Sequence, residues 1–173
     1  PLRDYACGTF QTKEKLIRDI KKHRKLSKKI LTNCDQIFIT LGQIDYWVEK
    51  NSNFIWGTIP AKEKDFSNKI RTKYSIKSET INDVEKNILY VIKKLKKINK
   101  KIKIIFTLSP VPSSATFFDE NVILRSFEDK AKLKIAISNV VKNNSNVHYF
   151  PSFEKVMLGN NNFLIDNRHV KSK

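Results

Sequence analysis

The spacing of hydrophobic positions changes along this chain, and the changes mark out alternating helices and strands. Over Lys13–Asn33 the apolar residues Leu16, Ile17, Ile20, Leu26, Ile30 and Leu31 recur at helical spacing among lysines, which predicts an amphipathic helix. The same period predicts a helix over 79–99, with Ile81, Val84, Ile88, Val91, Ile92 and Leu95 inward and Ser78-Glu79-Thr80 as its cap. It predicts another over 121–143, with Val122, Ile123, Phe127, Ala131, Leu133, Ile135, Ile137, Val140 and Val141 as the apolar set. Between these stretches lie short runs with no helical period: Gln36–Leu41, 102–108 and Val147–Phe150. Apolar runs of that length read as strands buried on both faces.

Helix, strand, helix, strand, helix, strand is the order of a parallel sheet joined by right-handed crossovers. The expected fold is therefore α/β, a three-layer doubly wound parallel sheet with helices on both faces, and residues 1–173 are expected to form one domain. Polar material collects where the strands end. Gly42-Gln43-Ile44-Asp45 follows the first strand, and Ser109-Pro110-Val111-Pro112 stops the central one, because proline cannot donate to a sheet ladder. Ligands of open α/β sheets bind at that edge. Residues 47–60, with Trp47, Trp56 and Gly57, are expected to be a loop or lid whose tryptophans are core or pocket wall, and 61–77 a short helix or irregular connection.

Composition narrows the partners. Lys and Arg number 34 against 17 Asp and Glu, a formal net charge of +17, which invites a nucleic-acid or anionic-surface partner. Only six of the 34 are arginine, the residue that grips phosphates and bases bidentately, and the lysines are strewn along several helices. The charge is expected to be solvated helix surface, with no specific nucleic-acid partner. Cys7 and Cys34 fit neither a disulfide framework nor a metal site, and three scattered histidines complete no cluster, so free thiols and no structural metal are expected. No apolar run approaches the ~20 residues that span a bilayer. The chain opens at Pro1 rather than at a methionine and is expected to be the C-terminal piece of a longer protein; its compartment stays open.

Four separated segments resemble the GSCFA-domain family, within the wider SGNH-hydrolase-like group of serine esterases. They are Ile39-Thr40-Leu41-Gly42 with Asp45 and Trp47; Thr107-Leu108-Ser109-Pro110-Val111-Pro112 with Ala115-Thr116; Tyr149-Phe150-Pro151-Ser152-Phe153-Glu154; and Asp166-Asn167-Arg168-His169-Val170. The resemblance runs from about Gln36 to the C-terminus. The family's nucleophilic serine belongs to a Gly-Ser-Cys-Phe-Ala segment upstream of these blocks. Ala6-Cys7-Gly8-Thr9-Phe10 has no serine and no apolar strand before it, and reads as a chance likeness.

The resemblance implies acyl transfer on a carbohydrate or lipid ester, without a cofactor. A serine attacks the carbonyl, a histidine takes its proton, and a carboxylate fixes the imidazole tautomer. Asp166 and His169 take the last two roles, one helical turn apart; without the family context the same spacing would suit a surface ion pair. Gly42, Asp45, Trp47 and Ser109 fall at the oxyanion and pocket positions. One departure stands out: Ile44 occupies the place where SGNH enzymes carry an oxyanion-binding Asn, so a contribution from this loop would have to come from backbone N–H groups such as that of Gly42. Ser109 lacks the small neighbours of a nucleophile elbow, standing between Leu108 and Pro110, and is expected to shape the pocket. The competing reading is a non-catalytic binding or scaffold domain on the same fold. A charge-driven nucleic-acid binder is a third, and needs a clustered basic face.

Overall fold

A computed structural model of the chain describes residues 10–56 and 72–159. In chain order the described elements are α1 (Lys13–Asn33), β1 (Gln36–Leu41), β2 (Asp45–Glu49), β3 (Ile55–Trp56), β4 (Tyr74–Ser78), α2 (Ile81–Ile98), β5 (Lys103–Leu108), α3 (Val122–Lys142), β6 (Val147–Phe150) and α4 (Ser152–Met157). The predicted strands pair as neighbours, all parallel, in the order β1-β5-β6. Helices flank the sheet, so the fold is the expected α/β, doubly wound arrangement.

Strand alternation and register together place Ile37, Ile39, Leu41, Ile104, Phe106, Leu108, Val147 and Tyr149 on one face. Against that face lie Val84, Ile88, Ile92 and Leu95 of α2 and Leu133, Ala136, Ile137 and Val140 of α3. Each such buried aliphatic or aromatic side chain larger than alanine contributes about 1.5–3 kcal/mol. The helix α2 is well started: Thr80 and Asp83 cap each other's backbone N–H groups in a reciprocal box. On the opposite face Phe38 and Phe150 meet edge to face at 6.4 Å and stay 54% and 43% exposed. Burial on both faces thus holds for the central β5, while β1 and β6, the outer strands among the described residues, alternate.

Three further expectations are corrected. First, α1 joins the core only near its end, through Leu31, while Ile17, Leu26 and Ile30 stay exposed. Second, the inward stripe of α3 differs from its apolar set. Ile123, Phe127, Ala131 and Ile135 are exposed, and the first half of the buried stripe is Arg125, Ser126, Asp129 and Lys130. Third, the loop expected over 47–60 begins inside a strand. Asp45–Glu49 pairs antiparallel with Ile55–Trp56 and with Tyr74–Ser78, forming a small second sheet in the order β3-β2-β4. Tyr46, Trp47 and Val48 are the aromatic and β-branched types that suit a pleated surface, but five residues are too few to show a period. Trp47 is buried and meets Phe117 edge to face at 5.1 Å.

Candidate functional site

Strands β1 and β5 end side by side. After the last rung, Leu41 with Leu108, the Ser109 N–H donates to the Leu41 carbonyl at 2.8 Å, which brings Gly42 beside Ser109. A Cβ on Gly42 would lie 3.4 Å from the Ser109 Cβ, an ordinary contact, so crowding alone does not require glycine here. The proline-stiffened loop is then pinned twice. Ser109 Oγ accepts from the Val111 N–H at 3.3 Å, and the buried Ser126 of α3 accepts from the Ser113 N–H at 3.1 Å. The result is a cleft of about 420 Å³ at the strand ends, walled by Thr40, Gly42, Ser109, Ser113, Ser114 and Lys130.

Two buried cations of α3 stand near this edge. Lys130 is 5% exposed, and its Nζ donates to the Gly42 carbonyl at 2.8 Å. Burial pushes its pKa down, against a smaller upward pull from Asp129. Arg125 is held very differently. Its Nη2 donates to Asp45 Oδ1 at 2.6 Å and to Ser78 Oγ, Nη1 donates to Glu120 Oε1 at 3.2 Å, and the guanidinium stacks on Phe118 at 4.5 Å. Asp45 and Ser78 are register partners across β2 and β4, so this one side chain ties the small sheet to α3. Nε also approaches Asp129 Oδ1 to 3.1 Å, but without hydrogen-bond alignment, and neither atom has another hydrogen-bond partner. Burial and the nearby Asp45 charge therefore outweigh Arg125 and raise Asp129 from 3.8 to about 6.

The Tyr149–Glu154 segment braces the same edge. Ser152 Oγ donates to the Leu108 carbonyl at 2.8 Å and meets Thr107 Oγ1, so α4 is fastened to the end of β5. Tyr149 donates to Glu154 at 2.7 Å, and Lys134 reaches the same carboxylate at 3.0 Å while lying over the Tyr149 ring. Burial would raise Glu154, but the bonds from Tyr149, its own backbone and Lys134 prevail and hold it below the usual carboxylate range. These contacts give the segment a supporting role.

Of the residues singled out in the sequence, Gly42 and Ser109 come together in the cleft. Asp45 and Trp47 do not join them: Asp45 serves Arg125, and Trp47 packs in the small sheet. Ile44 is buried in the main core, 4% exposed. Asp166 and His169 lie outside the described residues. Among the described residues neither His23 nor His148 lines the cleft, and no group of three or more potential ligands could hold a metal. Sequence reasoning missed Lys130 and Arg125. The one available signal was their position i and i+5 on a helix whose apolar residues fail to form one clean stripe.

An α/β fold with its polar cleft at the strand ends defines the general class. The model of the GSCFA family matches residues 6–173, and the chain belongs to that family. The match begins well before Gln36 and takes in the Ala6–Phe10 stretch. No curated protein and no solved structure matches the chain. Among the described residues no helix is long and apolar enough to cross a membrane.

Proposed function

We propose that this chain belongs to an SGNH-like serine acyl hydrolase acting on a carbohydrate or lipid ester, with the reacting carbonyl held in the cleft between Gly42 and Ser109. The observation that carries the reading is the cleft itself: polar, at the C-terminal ends of two parallel strands, and walled by family blocks far apart in sequence. In this reading His169 is the general base, Asp166 orients its ring, and the serine comes from a segment of the protein outside this chain. One observation favours the alternative of a non-catalytic binding domain. Ile44, at the place of the oxyanion Asn, is turned into the core and offers no side-chain donor.

The test is hydrolysis of short-chain aryl esters by the full-length protein, paired with labelling by a fluorophosphonate that reacts with activated serines. The enzyme reading expects both, with hydrolysis abolished in His169→Ala and lowered by orders of magnitude in Asp166→Asn while the fold persists. Neither turnover nor labelling in a folded protein would leave the binding domain as the better reading.

A further inference from the structure

We propose that the cleft at the ends of β1 and β5 is a binding site for an oxyanion, a carboxylate or phosphate-type group, with Lys130 as its charge partner. The inference does not depend on ester hydrolysis. It begins with an imbalance. An ammonium taken out of water costs several kcal/mol unless its donors are met, and it normally meets a carboxylate. Lys130 is 5% exposed, yet among the described residues its hydrogen bonding is limited to the Gly42 carbonyl, and no carboxylate comes within ion-pair distance. Its neighbour Asp129 is turned to Arg125 instead. A lysine has three donors, so two have no partner among the described residues.

Those donors have somewhere to act, because Lys130 is itself part of the wall of the 420 Å³ cleft. The other walls suit an anion. The hydroxyls of Thr40, Ser113 and Ser114 can donate to it, and among the described residues no carboxylate lines the cleft to repel it. Ser109 and Ser126 fix the loop through backbone bonds, so the cleft is formed before anything enters. A flexible lysine with a four-carbon stem would ordinarily reach for solvent. Lys130 is held inward by the Gly42 carbonyl, which orients the ammonium without neutralising it.

The experiment is a titration of the ¹⁵N-labelled full-length protein with inorganic phosphate and, separately, acetate, at constant ionic strength, following the amides of Gln43, Ser113 and Ser114. Lys93→Gln, an exposed lysine on α2, removes the same charge and controls for diffuse attraction to a basic protein. Saturable shifts of the cleft amides are expected, with at least one probe. Lys130→Gln should weaken binding by about tenfold or more, the scale of a charge-assisted hydrogen bond, while Lys93→Gln leaves it unchanged. The tighter probe identifies the oxyanion. Shifts that never saturate in the wild type, or equal weakening by both variants, would overturn the proposal. The wild-type titration decides even if Lys130→Gln fails to fold. Failure of ester hydrolysis would leave this outcome untouched, because no turnover is read.

Discussion

Arg125 and Lys130 stand at opposite borders of the buried side of α3, little more than a turn apart along its axis, and both are less than a tenth exposed. Their surroundings are opposites. Among the described residues Arg125 meets Asp45, Glu120, Asp129, Ser78 and the Phe118 ring, whereas Lys130 meets one carbonyl and a cleft. A cation with its partners built in is a strut, and its job is finished when the chain folds. A cation left short of partners at a cavity wall is a site, because the missing partner has room to arrive. Burial alone does not separate the two; the inventory of partners does.

The comparison breaks most visibly at Arg125. Arg125→Met would leave Asp45 and Asp129 near each other without their cation and would unfasten the small sheet from α3. Removing one partner of a buried charged cluster costs about 3–5 kcal/mol, so a urea melt of the full-length protein should show a loss of that size. Arg125→Lys should recover only part of it, since an ammonium cannot span Asp45, Glu120 and Ser78 with a rigid fork. A loss below about 1 kcal/mol would show that the cluster is not a strut.

A smaller effect should appear with pH. The Asp129 carboxyl rises to about 6 in the folded chain, so between its ordinary value and that point the folded state holds a proton that the unfolded state has lost. Its contribution to stability is therefore best at low pH, falls as pH rises through this window, and is flat above it. Relative to Asp129→Asn, the wild type should lose on the order of 1–3 kcal/mol between about pH 4 and about pH 7. Asp45→Asn should lower the Asp129 midpoint in a carboxyl NMR titration, because a like charge is removed. A midpoint that stays put would place its origin in burial alone.

What the sequence revealed and what it hid divide along this same helix. The parallel strands were legible because Gln36–Leu41 and 102–108 are apolar runs that stop at Gly42 and Ser109-Pro110, and apolar runs report burial directly. The helix α2 was legible because its inward residues Val84, Ile88, Ile92 and Leu95 are all aliphatic. On α3 the pattern pointed at Ile123, Phe127 and Ile135, which are exposed, because the positions turned inward there are Arg125, Ser126, Asp129 and Lys130. Hydrophobic periodicity finds a buried face only when burial is apolar. A helix that buries charge beside a cleft defeats it, and the failure itself marks the region to inspect. Asp45 stands out in the sequence by its place in a family block, but its partner Arg125 lies 80 residues away, a contact that local spacing cannot show.

The smallest expected effect is the sharpest test of the comparison. Lys130→Met keeps the length and bulk of the side chain while removing the charge. The protein loses one bond to the Gly42 carbonyl, worth about 1 kcal/mol, and is relieved of holding an ammonium away from water with few partners. These changes oppose each other, so stability should stay within about 1 kcal/mol of wild type or rise, with an unchanged denaturant slope. Residues that bind ligands often carry this mark: the folded protein is no worse without them, because their charge is kept for a partner rather than for the fold. A loss of more than about 2 kcal/mol would say the reverse, that Lys130 is a second strut holding the Gly42 turn against α3. Lost anion binding in Lys130→Gln would then report a collapsed cleft, and only the wild-type titration would still speak for a site.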